Sequence, residues 1–192
     1  MRTLGLLLAL LLSIVVEVRG QEPPQPGTRA EIAITVLKSA RRLLLYRGNE
    51  LIKAYPVFLG SSPKGDKIKR GDNRTPEGDY RVIEKNPDSK FHRFITIDYP
   101  NVKDADVAYN EGRLSASQWV DILYASTKGI KPPWNTPLGG FLGIHGIGEN
   151  EKFKLRMIGD WDWTNGCIAL TNRDVADLFG RVPIGTLVRI RQ

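Results

Sequence analysis

Short extended segments separated by turn signals fill most of the chain between residues 32 and 99, and they commit the fold to a mainly β core. Ile32, Ile34 and Val36 alternate with Ala33, Thr35 and Leu37; residues 43–46 form a second apolar run and residues 51–59 a third extended stretch. Alternation with a period of two buries one face of each segment. With the turn signal Arg47-Gly48-Asn49 before the third stretch, an antiparallel meander is expected. Residues 60–78 are broken by Gly60, Pro63, Gly65, Gly71, Pro76 and Gly78 and read as loops, with a turn at Thr75-Pro76-Glu77-Gly78. Strands resume at residues 80–84 and 94–99.

Residues 100–137 interrupt this pattern. Ser115 and Gln118 form a capping box ahead of a helix carrying Trp119, Val120, Leu123 and Tyr124, with Gly129 as its stop and Pro132-Pro133 beyond. This helical insertion is either a lid or groove wall, or ordinary packing on the sheet. Residues 141–144 make a short apolar strand ending at His145, and residues 168–170 another just after Cys167. Thr171 and Asp174 give a second capping box for one short helix carrying Val175, Leu178 and Phe179 and ending at Gly180; residues 186–190 close the domain as a strand.

The first 30 residues differ from the rest. Residues 1–20 read as a secretory signal, with Arg2 before an apolar run at residues 4–16 and small residues near Gly20. That run is shorter than the roughly 20 residues needed to span a bilayer, so cleavage and no stable membrane insertion are expected. Residues 21–29, rich in Pro and polar residues, read as a linker, leaving residues 30–192 as the folded domain. The expected location is periplasmic or otherwise extracytoplasmic.

The formal charge of +7 falls to +6 once Arg2, Glu17 and Arg19 leave with the signal. Lys and Arg are scattered rather than striped, which argues against a nucleic-acid partner and suits an acidic wall polymer. The sequence carries no signal for an oligomeric state.

Cys167 is the sole cysteine, so no intramolecular disulfide can form, and the thiol is either a small buried hydrophobe or a reactive group. A reactive thiol needs a neighbouring base, and the chain has two histidines, His92 and His145. His92, beside Arg93 at a strand start, reads as a surface residue. His145 precedes Gly146, whose carbonyl can accept from one ring nitrogen and leave the other facing sulfur. In Thr164-Asn165-Gly166-Cys167, glycine leaves room beside the nucleophile, and amides near Gly166 and Cys167 are candidate oxyanion donors. Thr164 orients its neighbours or closes a turn; Asn165 donates to the oxyanion or occupies a left-handed turn position. Trp161 and Trp163 are candidates to line a groove or to pack, and Arg74 to meet a substrate carboxylate or to lie on the surface. One Cys and two His with no recognisable ligand spacing argue against a metal, and no cofactor is implied.

These residues resemble a known family. Ile144-His145-Gly146, with Cys167 following 22 positions after the histidine inside Thr-Asn-Gly-Cys-Ile, is similar to the L,D-transpeptidase (YkuD-like) catalytic domain. Arg74-Thr75-Pro76-Glu77-Gly78-Asp79-Tyr80 resembles that family's Thr-Pro-x-Gly turn, and Pro137-Leu138-Gly139-Gly140 also matches. The resemblance implies a β-sandwich in which Cys167 forms a thioester with a peptidoglycan stem peptide and His145 is the acid/base. The acyl group then passes to an amine. The chain departs from the pattern at Asn165, where the family has His, and at Ala169, where it commonly has Arg; 18 residues separate His145 from Thr164, slightly more than usual. Three readings follow: an L,D-transpeptidase; an L,D-carboxypeptidase or hydrolase using the same pair with water; and an inactive peptidoglycan-binding module.

Overall fold

In the computed structural model, residues 31–192 are described; the expected signal and linker lie outside them. The chain opens with β1 (Ile32–Leu37), β2 (Arg42–Arg47) and β3 (Glu50–Pro56), paired antiparallel as the alternation requires. After the loops come β4 (Gly78–Asn86) and β5 (Phe94–Ile97), then two helices, α1 (Val102–Asn110) and α2 (Ala116–Lys128). The remainder is β6 (Gly143–His145), α3 (Glu151–Ile158), β7 (Ile168–Ala169), α4 (Asn172–Arg181) and β8 (Leu187–Arg191).

The strands form one sheet in the order β3-β2-β1-β8-β4-β5-β6-β7. Strand β4 is shared by two halves and shifts register between Val82 and Glu84, where the sheet turns from β8 toward β5. Such a bulge bends a strand, and here the halves face each other as a sandwich. The chain leaving β3 crosses to the far edge: Phe58 and Ala169 exchange both backbone hydrogen bonds at 2.8 Å, and Thr164 N donates to the Leu59 carbonyl at 3.1 Å. The two edges are thereby tied together beside β7.

Between the halves lies a core of Ile34, Val36, Leu43, Leu45, Val82, Ile95, Ile144, Ile168, Val188 and Ile190, with Val175 and Leu178 from α4. Each such aliphatic side chain contributes about 1.5–3 kcal/mol on full burial.

The insertion at residues 100–137 has its own small core of Ala105, Ala108, Leu114, Ile122 and Leu138. Helix α2 begins at the expected Ser115–Gln118 capping box and ends at Gly129 with φ 63°, but it is rotated from the expected face. Val120 and Tyr124 point to solvent, while Ile122 and Ala125 are buried. The small Ala105 and Ala108 of α1 let α2 approach along the stripe containing Trp119 and Ile122, and Val120 and Tyr124 lie outside it.

Helix α1 was not expected; its signal is the reciprocal cap of Asn101 and Asp104. Helix α4 starts at Thr171, whose hydroxyl accepts from Asp174 N at 3.1 Å, and runs one residue past Gly180. It stops at Arg181 because Pro183 follows Val182 and has no N–H to continue the ladder.

Candidate active site

Parallel pairing of β6 with β7 aligns Ile144 with Ile168 and His145 with Ala169. Cys167, two residues before Ala169, therefore projects to the same side of the sheet as His145. Both side chains line one cavity of about 530 Å³.

His145 is 2% exposed. Its Nδ1 lies 2.7 Å from the Gly146 carbonyl oxygen, so the Nδ1–H tautomer donates there and the Nε2 lone pair is left for other partners. Phe91 stacks on the ring at 4.4 Å between centroids and Phe94 at 5.5 Å, while Trp163 meets it edge-on at 6.0 Å. Burial among these rings pushes the imidazole pKa down to about 4, with the Gly146 carbonyl acting in the opposite direction. Burial pushes the Cys167 thiol up to about 11, opposed by a hydrogen bond from the Gly143 backbone and by the charge of Lys67. At neutral pH thiol and imidazole are both uncharged. Sγ lies 3.8 Å from the Phe141 carbonyl oxygen, its hydrogen-bond acceptor in this structure.

The segment before the cysteine is fixed by Thr164. Its hydroxyl donates to the Cys167 carbonyl at 2.6 Å and accepts from Gly166 N at 3.1 Å. The Gly166 amide is thus tied into the turn ahead of Cys167. Gly166 has φ 128°, and a Cβ there would lie 2.6 Å from the Arg74 carbonyl oxygen, so both conformation and space demand glycine. A Cβ on Gly146 would lie 2.6 Å from the Phe91 carbonyl oxygen, the close approach that seats Phe91 against the His145 ring.

The remaining candidates divide. Asn165, exposed, and Trp163 line the cavity. Trp161 is 80% exposed and is not among the lining residues. Arg74 also lies off the cavity, its guanidinium donating to the Asp66 carbonyl at 3.2 Å. His92 lies outside it too, in a left-handed turn at φ 75°. Helices α1 and α2 contribute no lining residue, so the insertion packs rather than forming a cavity wall.

Sequence reasoning missed the aromatic cage of Phe91, Phe94 and Phe141 and the cations Lys67, Arg70 and Lys90. Phe141 is held at φ 56° and stacks on Phe94 at 5.0 Å with the planes 6° apart. A positive φ in a non-glycine residue was the strongest available mark of a constrained site, and a sequence does not display it. Among the described residues no cluster of His, Cys, Asp and Glu is arranged to hold a metal ion, and no helix is long and apolar enough to cross a membrane.

Residues 31–190 match the model of the L,D-transpeptidase catalytic domain family, YkuD. The chain belongs to this family. Among curated relatives, YafK of Escherichia coli K12 is 30% identical over 131 residues, covering 59% of this chain and 53% of YafK. YqjB of Bacillus subtilis is 28% identical over 171 residues, covering 88% of this chain and 74% of YqjB. Both carry the provisional designation L,D-transpeptidase. This chain thus spans about half the length of YafK.

Among solved structures, Bd1075 of Bdellovibrio bacteriovorus aligns with TM-score 0.53 at 20% identity, over 85% of this chain and 48% of that one. Pgp2 of Campylobacter jejuni, described as a helical cell shape determining protein, aligns with TM-score 0.51 at 21% identity, over 85% and 48% respectively. At these identities the likeness establishes the shared fold. Within the L,D-transpeptidase fold, Ala169 sits opposite His145 in the β6–β7 pair, and Asn165 stands at the cavity rim.

Proposed function

We propose that this protein is an exported peptidoglycan L,D-transpeptidase in which Cys167 is the nucleophile and His145 the acid/base. The observation that supports this most is the placement of His145 and Cys167 on the same side of adjoining strands, in one cavity, with the imidazole tautomer set by Gly146.

The reaction starts from the neutral pair. As a stem peptide enters, the Cys167 proton passes from Sγ to Nε2 of His145, and the thiolate attacks the carbonyl carbon of the scissile amide. The Cys167 backbone N–H stabilises the oxyanion. The C–N bond then breaks, the leaving amine takes the proton from His145, and a thioester remains. An acceptor amine loses a proton to His145 and attacks the thioester, forming a new amide and returning the thiol. The aromatic cage desolvates the imidazole and keeps it neutral at rest, with its Nε2 lone pair free to take the proton.

The exposed cations Arg70 and Lys90 at the cavity suit a donor bearing free carboxylates. The signal at residues 1–20 would deliver the enzyme to the wall, with the mature chain beginning after Gly20.

Hydrolysis is the second reading, motivated by Asn165 at the rim, which leaves a single imidazole in the cavity to direct the acceptor. The same thioester then falls to water, giving a carboxylic acid. Residues 21–192 incubated with muropeptides should yield cross-linked or amino-acid-exchanged products by mass spectrometry, whereas shortened stems alone would assign the hydrolytic reading. Full activity in Cys167→Ala would overturn both, and wall binding without any product would leave the inactive module.

A further inference from the structure

Lys67 is a cation in an unusual position. Its side chain is 3% exposed and its Nζ lies 2.6 Å from Asp72 Oδ1, itself on a side chain 7% exposed. A second ammonium donor goes to the Lys69 carbonyl at 3.1 Å. The residue nevertheless lines the cavity that holds Cys167. Burying an ammonium in such a wall carries a desolvation cost that a fixed ion pair at best offsets, so a purely structural role would be served as well by an apolar side chain.

The loop does not need Lys67 for its shape. Asp72 already accepts backbone N–H groups from Ile68 at 2.8 Å, Lys69 at 3.0 Å and Arg74 at 3.1 Å. Burial by itself would raise the Asp72 carboxyl, yet the bond from Lys67 and these three amides hold it below the usual range. The carboxylate is therefore a permanent anchor for the ammonium, while the site must form a thiolate in a half-buried place beside a neutral imidazole.

We propose that Lys67, clamped by Asp72, is a positioning residue for the reaction: its buried ammonium places a fixed positive charge toward Cys167 and stabilises the thiolate that attacks the substrate. The inference rests on Cys167 being the reactive group of the proposed function. Lys67 and Cys167 line the same cavity, and the charge of Lys67 favours the ionised form of the sulfur. The other titratable groups of the cavity are His145 from β6, Arg70 from the same loop and Lys90 from the turn before β5. Arg70 is tied by its guanidinium to the Trp134 and Thr136 carbonyls.

The test reads the thiol directly and needs no substrate. The rate of iodoacetamide alkylation of Cys167 is followed against pH in the wild type, Lys67→Met, Lys67→Arg and Lys152→Gln, with thermal melts to establish folding. Lys152 is exposed and lies off the cavity. Lys67→Met should move the alkylation midpoint up by about one pH unit, an approximately tenfold slower reaction below the midpoint. Lys67→Arg should restore most of that shift, and Lys152→Gln should leave the midpoint in place. Because Lys67→Met strands the Asp72 carboxylate, the double variant Lys67→Met/Asp72→Asn provides a folded protein with no orphan charge and should shift in the same direction. An unmoved midpoint in either folded variant, or an equal shift in Lys152→Gln, overturns the proposal. Muropeptide turnover is a separate readout, so failure of the transpeptidase reading leaves this result standing, and the converse also holds.

Discussion

The two halves of the sheet are built on opposite terms. In β1, β2 and β8 the strands are five or six residues long, and each presents two buried aliphatic residues: Ile34 and Val36, Leu43 and Leu45, Val188 and Ile190. In β5, β6 and β7 the strands shrink to four, three and two residues, and the buried set there includes Thr96 and His145. Close by sit stacked aromatic rings, a buried ion pair and residues at positive φ. The first half needs volume and period, which many sequences supply. The second needs particular atoms at particular places and accepts short strands and strained backbone to get them. Both halves feed the common core, whereas the chemistry lies in one.

The largest effect that tests this division is a paired substitution. Cys167→Ala should reduce turnover of stem peptides by on the order of 10³-fold or more while leaving the urea unfolding midpoint almost unchanged. Leu45→Ala should do the reverse, costing about 2–5 kcal/mol of stability with turnover per folded molecule unaltered. Comparable losses of turnover in both would break the division.

A sharper probe is pH. The buried imidazole of His145 has its pKa pushed down to about 4, against roughly 6.5 when unfolded. Between these values the unfolded chain binds the proton that the folded chain refuses, so stability present above pH 6.5 is lost as the pH falls toward 4. The loss is about 3 kcal/mol. Asp98, raised by burial to about 6, works in the opposite direction over an overlapping window. The readout is therefore the difference between wild type and His145→Gln in urea titrations at pH 7, 5 and 4. The wild type should lose more stability on acidification by about that amount; parallel losses would show that His145 is not held neutral.

Gly166→Ala comes next. At φ 128° with the Arg74 carbonyl in the way, it should cost at least about 1–3 kcal/mol and lower turnover as well, because the turn that presents Cys167 must shift. The smallest effect belongs to the helix behind the site: Thr171→Ala should remove about 1 kcal/mol by losing the cap on Asp174 N, leaving turnover untouched.

The same division explains how much could be read in advance. The meander of β1 to β3, the cap at Ser115, the stop at Gly129 and the short strands beside His145 and Cys167 follow from local pattern, and local pattern is where sequence speaks plainly. The hydrogen bond from the His145 ring to the Gly146 carbonyl was also accessible, because its two partners are adjacent in the chain. What escaped depends on distant partners. The face of α2 was set by alanines of α1, not by its own largest side chains. The cage around His145 draws on Phe91, Phe94 and Trp163, and Lys67 reaches the cavity from a loop with no period to expose it. Helix α3 escaped for another reason: it has no buried residues and no side-chain N-cap bond, so neither amphipathic burial nor a capping signal marks it.

Covalent capture of the intermediate tests the central claim most directly. Wild-type protein mixed with a stem peptide and quenched in acid should show, by intact mass, the addition of the acyl fragment, and peptide mapping should place it on Cys167 as a hydroxylamine-labile thioester. His145→Ala should slow its appearance severely. An adduct on any other residue, or rapid product formation with no adduct on Cys167 at any time, would contradict the account.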